Sequence, residues 1–270
     1  MKKILLIGIM YIVVVIALLS AMAMLEVIGV PSPWGGVLVI LVFLCSFVFL
    51  MKFIAIKSIS YADVQPVKSE DIHLLTLDRL RDLTQALEAL GFVRVADRRV
   101  RPKFPSYMMQ YEGHFTFVRL FIHPVEGCYA TIAQPFLFRR PRRMACSVIS
   151  VFEDGRSLST SQLQAADLGY SMRRPKRLWR SRPNATPAEL LADHWELRKQ
   201  ISDVLVVEVC KNASLEHWQE LQATLSEEQM RLVWRRSIVR MLIESILCRI
   251  RPEVEWLGDY AKIAAHRRAR

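Results

Sequence analysis

Two apolar runs without a charged residue open this chain, Ile4 to Leu25 and Trp34 to Met51. Each is near the ~20 residues that carry a helix across a ~30 Å hydrocarbon layer. Backbone amides in lipid find no partner but one another, so runs of this kind are expected to be helical. Lys2 and Lys3 precede the first run, Lys52 and Lys57 follow the second, and Glu26 to Pro33 between them holds no Lys or Arg. Basic flanks stay on the cytoplasmic side. Residues 1–57 are therefore expected to form a two-helix transmembrane hairpin, with spans about 4–25 and 34–51 and both termini cytoplasmic. Pro31, Pro33 and Gly35-Gly36 suit the reversal, and Trp34 suits the interface. Met-Lys-Lys, an apolar core and Ala21-Met22-Ala23 also fit a cleaved signal peptide, although the run is long for an h-region of about 7–15 residues. Neither run holds an ionisable residue, which points to an anchor rather than to a transport path.

Four of the 37 Lys and Arg and one of the 26 Asp and Glu fall in residues 1–57, so most of the formal +11 charge belongs to the rest. That charge is clustered. Arg98, Arg99, Arg101 and Lys103 form one group, Arg139, Arg140, Arg142 and Arg143 a second, and Arg173, Arg174, Lys176, Arg177, Arg180 and Arg182 a third. Solvated loops are one reading of these groups. Contact with anionic lipid headgroups is another, through Arg139, Arg140, Arg142, Arg143, Arg173, Arg174, Lys176 and Arg177. Nucleic acid is the third, but no fold signature for it accompanies the charge. The five cysteines are widely spaced, with no Cys-x-x-Cys, and read as free buried thiols without a zinc site.

Residues 58–72 mix Ser, Pro, Lys and acids and read as a tether. A helix is expected from about Leu77 to Leu90, capped by Thr76, with Leu80, Leu83, Leu87 and Leu90 as its apolar stripe and Gly91 as its stop. Short aromatic and β-branched runs follow, at about 92–96, 107–110, 114–123, 128–138 and 144–152, in the pattern of an antiparallel meander. Val148 to Phe152, Glu153-Asp154-Gly155 and Arg156 to Ser161 read as a hairpin turning at Asp-Gly. Gly169 to Ala185 is a Pro- and Arg-rich connection. Thr186-Pro187-Ala188-Glu189 has the form of a capping box, opening a helix with Leu190, His194, Leu197 and Ile201 as its buried face. Ser226 to Gln229 repeats that form and predicts a long helix to about Ile250. A last basic helix over 254–266 places Trp256, Leu257, Tyr260 and Ile263 on one face. The expected architecture is α+β: the membrane hairpin, then an antiparallel-sheet domain over 73–185 and a helical region over 186–270.

His114 and His123 flank the longest expected strand, and either could serve acid–base chemistry beside a partner of tuned pKa. Ser157, Ser159 and Ser161 alternate down one face, as a hydroxyl-lined groove or as the solvated side of an edge strand. No Gly-x-Ser-x-Gly elbow, phosphate-binding loop, His-Glu-x-x-His or dinucleotide fingerprint occurs, so no cofactor or metal is expected.

The hairpin Phe152-Glu153-Asp154-Gly155-Arg156-Ser157-Leu158-Ser159-Thr160, followed by Thr186-Pro187-Ala188-Glu189-Leu190-Leu191 with His194, resembles uncharacterised bacterial membrane-anchored proteins that share Asp-Gly-x-x-Leu-x-Thr/Ser. The resemblance covers about residues 75–200. It implies a bacterial inner-membrane protein of unassigned activity and supplies no catalytic residue. The expectation is a non-catalytic interaction or regulatory module at the inner membrane, with the bilayer, anionic headgroups or an unidentified protein as partner. The alternative is an enzyme acting on a lipid or membrane-associated substrate, with His114, His123 and Ser159 in its site.

Overall fold

Alternation of bulky apolar side chains along Phe115–His123 (β3) sets the architecture, because the two faces of this strand feed two different cores. Phe115, Phe117 and Phe121 pack on one face, whereas Leu120 and Ile122 pack on the other. The structure, a computed structural model, describes residues 62–102, 115–137, 140–163, 176–237 and 255–268, together with residues 37 and 243. Its strands are β1 (Ala62–Pro66), β2 (Val93–Pro102), β3, β4 (Cys128–Leu137), β5 (Arg140–Pro141), β6 (Ala145–Val151), β7 (Ser157–Ser161), β8 (Arg177–Ser181) and β9 (Glu255–Trp256). They form one sheet in the order β1-β2-β3-β4-β6-β7-β8-β9, with β5 paired to the end of β4. All neighbours are antiparallel except β7 and β8.

Two helices cover the first face. In α1 (Leu77–Ala89), Leu80, Leu83 and Leu87 are buried against Phe117, Phe121, Ala130 and Ile132. Each such side chain contributes about 1.5–3 kcal/mol through removal from water. In α2 (Pro187–Leu205), Leu190 and Leu191 join the same core, and Leu197 and Ile201 join a second one with Phe152, Leu158 and Leu178. The opposite face receives Trp218 of α3 (Leu215–Arg235), which packs on Leu120, Tyr129 and Val151. The short α4 (Tyr260–Arg268) adds Tyr260 and Ala264 to the core under α2.

The described residues thus make a mostly β domain with a few helices, and the expected α+β arrangement behind a membrane hairpin is corrected. Among the described residues no helix is long and apolar enough to cross a membrane. α2 and α3, at 19 and 21 residues, have the length to span, but Asp, Glu, Lys and Arg recur along both. The expected spans 4–25 and 34–51 lie outside the described residues, except for Val37 in the second. The expected multi-pass inner-membrane placement accordingly has no span among the described residues.

Smaller differences follow from pairing at a distance. Part of the expected tether is strand β1, aligned with Arg98 to Pro102 of β2. Part of the expected Arg-rich connection is strand β8, parallel to β7. Ser226 lies inside α3, where its hydroxyl donates to the Gln222 carbonyl (2.8 Å), and Ser214 caps the helix instead. Trp256 belongs to β9 rather than to the last helix. The segment 107–110 lies outside the described residues. The hairpin forms as expected, but through a five-residue loop: only Gly155 takes a positive φ (+79°), and the Phe152 N–H meets the Arg156 carbonyl (2.8 Å). Phe152 and Arg156 thus close a three-residue turn, Glu153-Asp154-Gly155, within the five residues between the strands, with its last position a left-handed glycine.

Candidate functional site

The capping box positions a fully buried polar side chain, His194. Thr186 Oγ1 accepts the Glu189 N–H (3.3 Å) and Glu189 Oε2 accepts the Thr186 N–H (2.8 Å), which fixes where α2 begins. The helical period then sets His194 against the sheet with 0 % exposure. Its Nε2 lies 2.8 Å from Ser150 Oγ on β6, and its Nδ1 lies 2.9 Å from Thr160 Oγ1 on β7. A neutral imidazole has one donor and one acceptor nitrogen, so one hydroxyl donates to the ring and the other accepts from it. Burial pushes the His194 pKa down to about 3, aided by the Arg198 charge and opposed by Asp193. The ring is therefore neutral at physiological pH. A nucleophile–base pair is present by distance, but it is sealed between helix and sheet and serves to hold them together.

A second buried node lies under α1. Asp97 of β2 stands opposite Arg119 of β3 in the ladder. Arg119 Nε and Nη2 donate to the two oxygens of Asp97 at 2.8 and 2.7 Å. Arg119 Nη1 reaches Thr84 Oγ1 of α1 (3.0 Å), Nη2 also reaches Ser69 Oγ (3.2 Å), and Arg94 adds a bond to Asp97 (2.6 Å). The sequence reading missed this pair. Its signal was an arginine set within the otherwise apolar Phe117-Val118-Arg119-Leu120-Phe121.

The expected site residues do not converge. His114 lies outside the described residues. His123 ends β3, half-buried between the rings of Phe92 (5.1 Å) and Trp195 (6.4 Å), and its Nδ1 accepts the Glu126 N–H (3.3 Å). Ser159 lies between Ile149 and Trp179 in the sheet register. Alternation puts it opposite to Leu158 and Thr160, on the face away from α2, while His123 follows Phe121 on the helix-covered face. β4 and β6 separate their strands.

The serine row also differs from both of its sequence readings. β7 is interior, not an edge, and Ser157 and Ser161 are buried. Thr131, Ser147, Ser161 and Ser181 align across four neighbouring strands. Ser147 and Ser161 hydroxyls meet at 2.6 Å, Ser161 Oγ accepts the Leu163 N–H (3.0 Å) and Ser181 Oγ donates to the Leu163 carbonyl (2.7 Å). These hydroxyls satisfy each other and the backbone, as buried polar groups must.

The arginines divide into two kinds. Arg180 and Arg182 are neutralised: both donate to Asp193 on α2 (2.8–3.0 Å), and Arg180 also meets Glu255 (2.5 Å). The Arg182 bond and the Arg180 charge hold the Asp193 carboxyl below its ordinary range, against desolvation. Arg140, Arg142 and Arg143 are exposed, and among the described residues no carboxylate pairs with them. Arg143 Nη2 donates to the Pro183 carbonyl (2.7 Å). Beside it opens a cavity of about 500 Å³ lined by Arg182, Pro183, Asn184, Ala185, Glu189 and Asp193. Lys176 is exposed and donates to the Asp154 carbonyl (3.2 Å), and Arg177 is half-buried in β8. Arg139, Arg173 and Arg174 lie outside the described residues.

Cys128 and Cys146 are buried free thiols, pushed up to about 12 by burial and so inert as nucleophiles. Among the described residues no three His, Cys, Asp or Glu side chains converge to hold a metal ion. No protein-family model, no curated protein and no solved structure matches this chain.

Proposed function

We propose that this chain is a non-catalytic interaction or regulatory module. The observation that carries the reading is the placement of the polar groups capable of chemistry. His194 with Ser150 and Thr160 is closed to solvent, while His123 and Ser159 sit on opposite faces of the sheet with two strands between them. Acid–base or nucleophilic catalysis requires those groups within hydrogen-bond reach of one another and of a substrate. Among the described residues, guanidinium and carboxylate side chains meet at the cavity beside α2, an arrangement that suits recognition. Alanine at His114, His123 and Ser159 in the full chain tests the proposal. The variants are expected to fold and to restore the phenotype of a deletion strain. Loss of restoration by a folded variant would return those residues to an enzyme site.

A further inference from the structure

We propose that Arg140, Arg142 and Arg143 form a docking surface for an acidic segment of a partner protein; this deepens the interaction-module reading and rests on it. The first support is the rigidity of the presentation. The Arg142 N–H donates to the Pro135 carbonyl (2.8 Å), and the buried Gln134 side chain donates to the Arg142 carbonyl (3.1 Å). Phe136 and Met144 are buried on either side, so the arginine-bearing stretch is pinned into the core at both ends. Pro141 fixes one backbone torsion within it. Side chains offered from a fixed backbone lose less freedom on binding than those of a floppy loop.

The second support is charge. Three like charges within four residues repel, and carboxylates brought by a partner relieve that repulsion. Elsewhere the chain supplies such carboxylates itself, as Asp193 and Glu255 do for Arg180 and Arg182. Around Arg140 to Arg143 the described residues supply none.

The third support is the adjoining cavity, which discriminates between anions. Arg143 is tied to Pro183 on its wall, yet Glu189 and Asp193 also line it. Their carboxyls are held below the ordinary range, Glu189 by the Thr186 N–H and hydroxyl and Asp193 by Arg182, so both stay ionised. A continuous phosphate backbone crossing this rim meets the Glu189 carboxylate, whereas Asp193 is already paired with Arg180 and Arg182. A peptide offers carboxylates to the arginines and amide or basic groups to Glu189. No aromatic ring stands among Arg140, Pro141, Arg142, Arg143 or the lining residues to stack a base.

The test uses the purified full chain and three probes of similar charge: a fluorescein-labelled Glu-rich peptide, single-stranded DNA and phosphatidylglycerol vesicles. The peptide is expected to bind with an affinity that falls as salt rises. R140Q/R142Q/R143Q should weaken it about tenfold, while the equally neutralising K199Q/K211Q/R235Q, at exposed sites elsewhere, should weaken it less than about twofold. R140Q/R142Q keeps the Arg143–Pro183 bond and should still cost about fivefold if the triple variant does not fold. Absence of peptide binding, equal loss in the two triple variants, or tighter binding of DNA or vesicles through the same arginines would overturn the proposal. Such a failure leaves the module reading standing, because that reading depends on His114, His123 and Ser159.

Discussion

The two helices on the shared face of the sheet rest on opposite solutions to one problem. α1 covers an ionised node, Arg119 with Asp97, whereas α2 covers a neutral one, His194 with Ser150 and Thr160. Their ends differ as well. α1 begins where Gln134 accepts the Thr76 N–H (3.2 Å) and closes on Gly91, with Phe92 N–H on the Leu87 carbonyl (3.1 Å) and Gly91 N–H on that of Glu88 (3.0 Å). This is a Schellman closure at a residue suited to φ +87°. α2 begins with its own capping box but closes on Val206, a β-branched residue at φ 55° and 79 % exposed. The sheet holds both helices under their length, but at the start α1 is met by Gln134 of the sheet whereas α2 relies on its own capping box, and only α2 carries strain at its end.

Asp97→Ala is expected to have the largest effect. It leaves Arg119 buried without a counter-charge and should cost about 3–5 kcal/mol in urea denaturation. His194→Leu should cost less, about 2 kcal/mol, because it orphans two neutral hydroxyls; adding S150A and T160V should regain part of that loss. Acid sharpens the contrast. The folded His194 pKa of about 3 lies below the unfolded value of 6.5, so the unfolded chain binds the extra proton between them. Stability is expected to fall by about 1.4 kcal/mol per pH unit on acidification below pH ~6.5. Down to pH ~4.5 the carboxylates contribute little, and H194L should flatten the slope in that window. Val206→Gly should stabilise by about 1 kcal/mol by relieving the left-handed strain, read as a rise in the urea midpoint. Thr186→Ala should remove about 1 kcal/mol, with amide exchange rising in the first turn of α2 and not in α1.

Legibility in the sequence followed the range of the interactions involved. The extents of α1 and of the start of α2, the buried stripe Leu190, His194, Leu197 and Ile201, and the hairpin at Asp154-Gly155 are local, set by periodicity, capping and one glycine. Strand β8 resembles a connection in sequence because Arg177 and Arg180 lie in it and Pro175 and Pro183 flank it, while Asp193 and Glu255, which neutralise Arg180, lie farther along the chain. For the same reason Ser157 to Ser161 read as an edge. The alternation was correct, but a strand cannot show whether another will pair beside it. His194 was recognised as buried and not as the partner of Ser150 and Thr160, since that contact joins three elements.

By itself, then, the sequence determined the local periodicities: where helices start, which stripe of each is apolar, which segments extend and where one hairpin turns. It also suggested a membrane hairpin from two apolar runs, whereas none of the described helices is long and apolar enough to cross a membrane. Only the tertiary structure decided strand order, the parallel pairing of β7 with β8, the partners of Arg119 and His194, and which arginines are neutralised. The physical reason is the range of the forces. Torsional preference and capping act within a turn, whereas pairing of strands and of buried charges depends on residues that only the closed fold brings together.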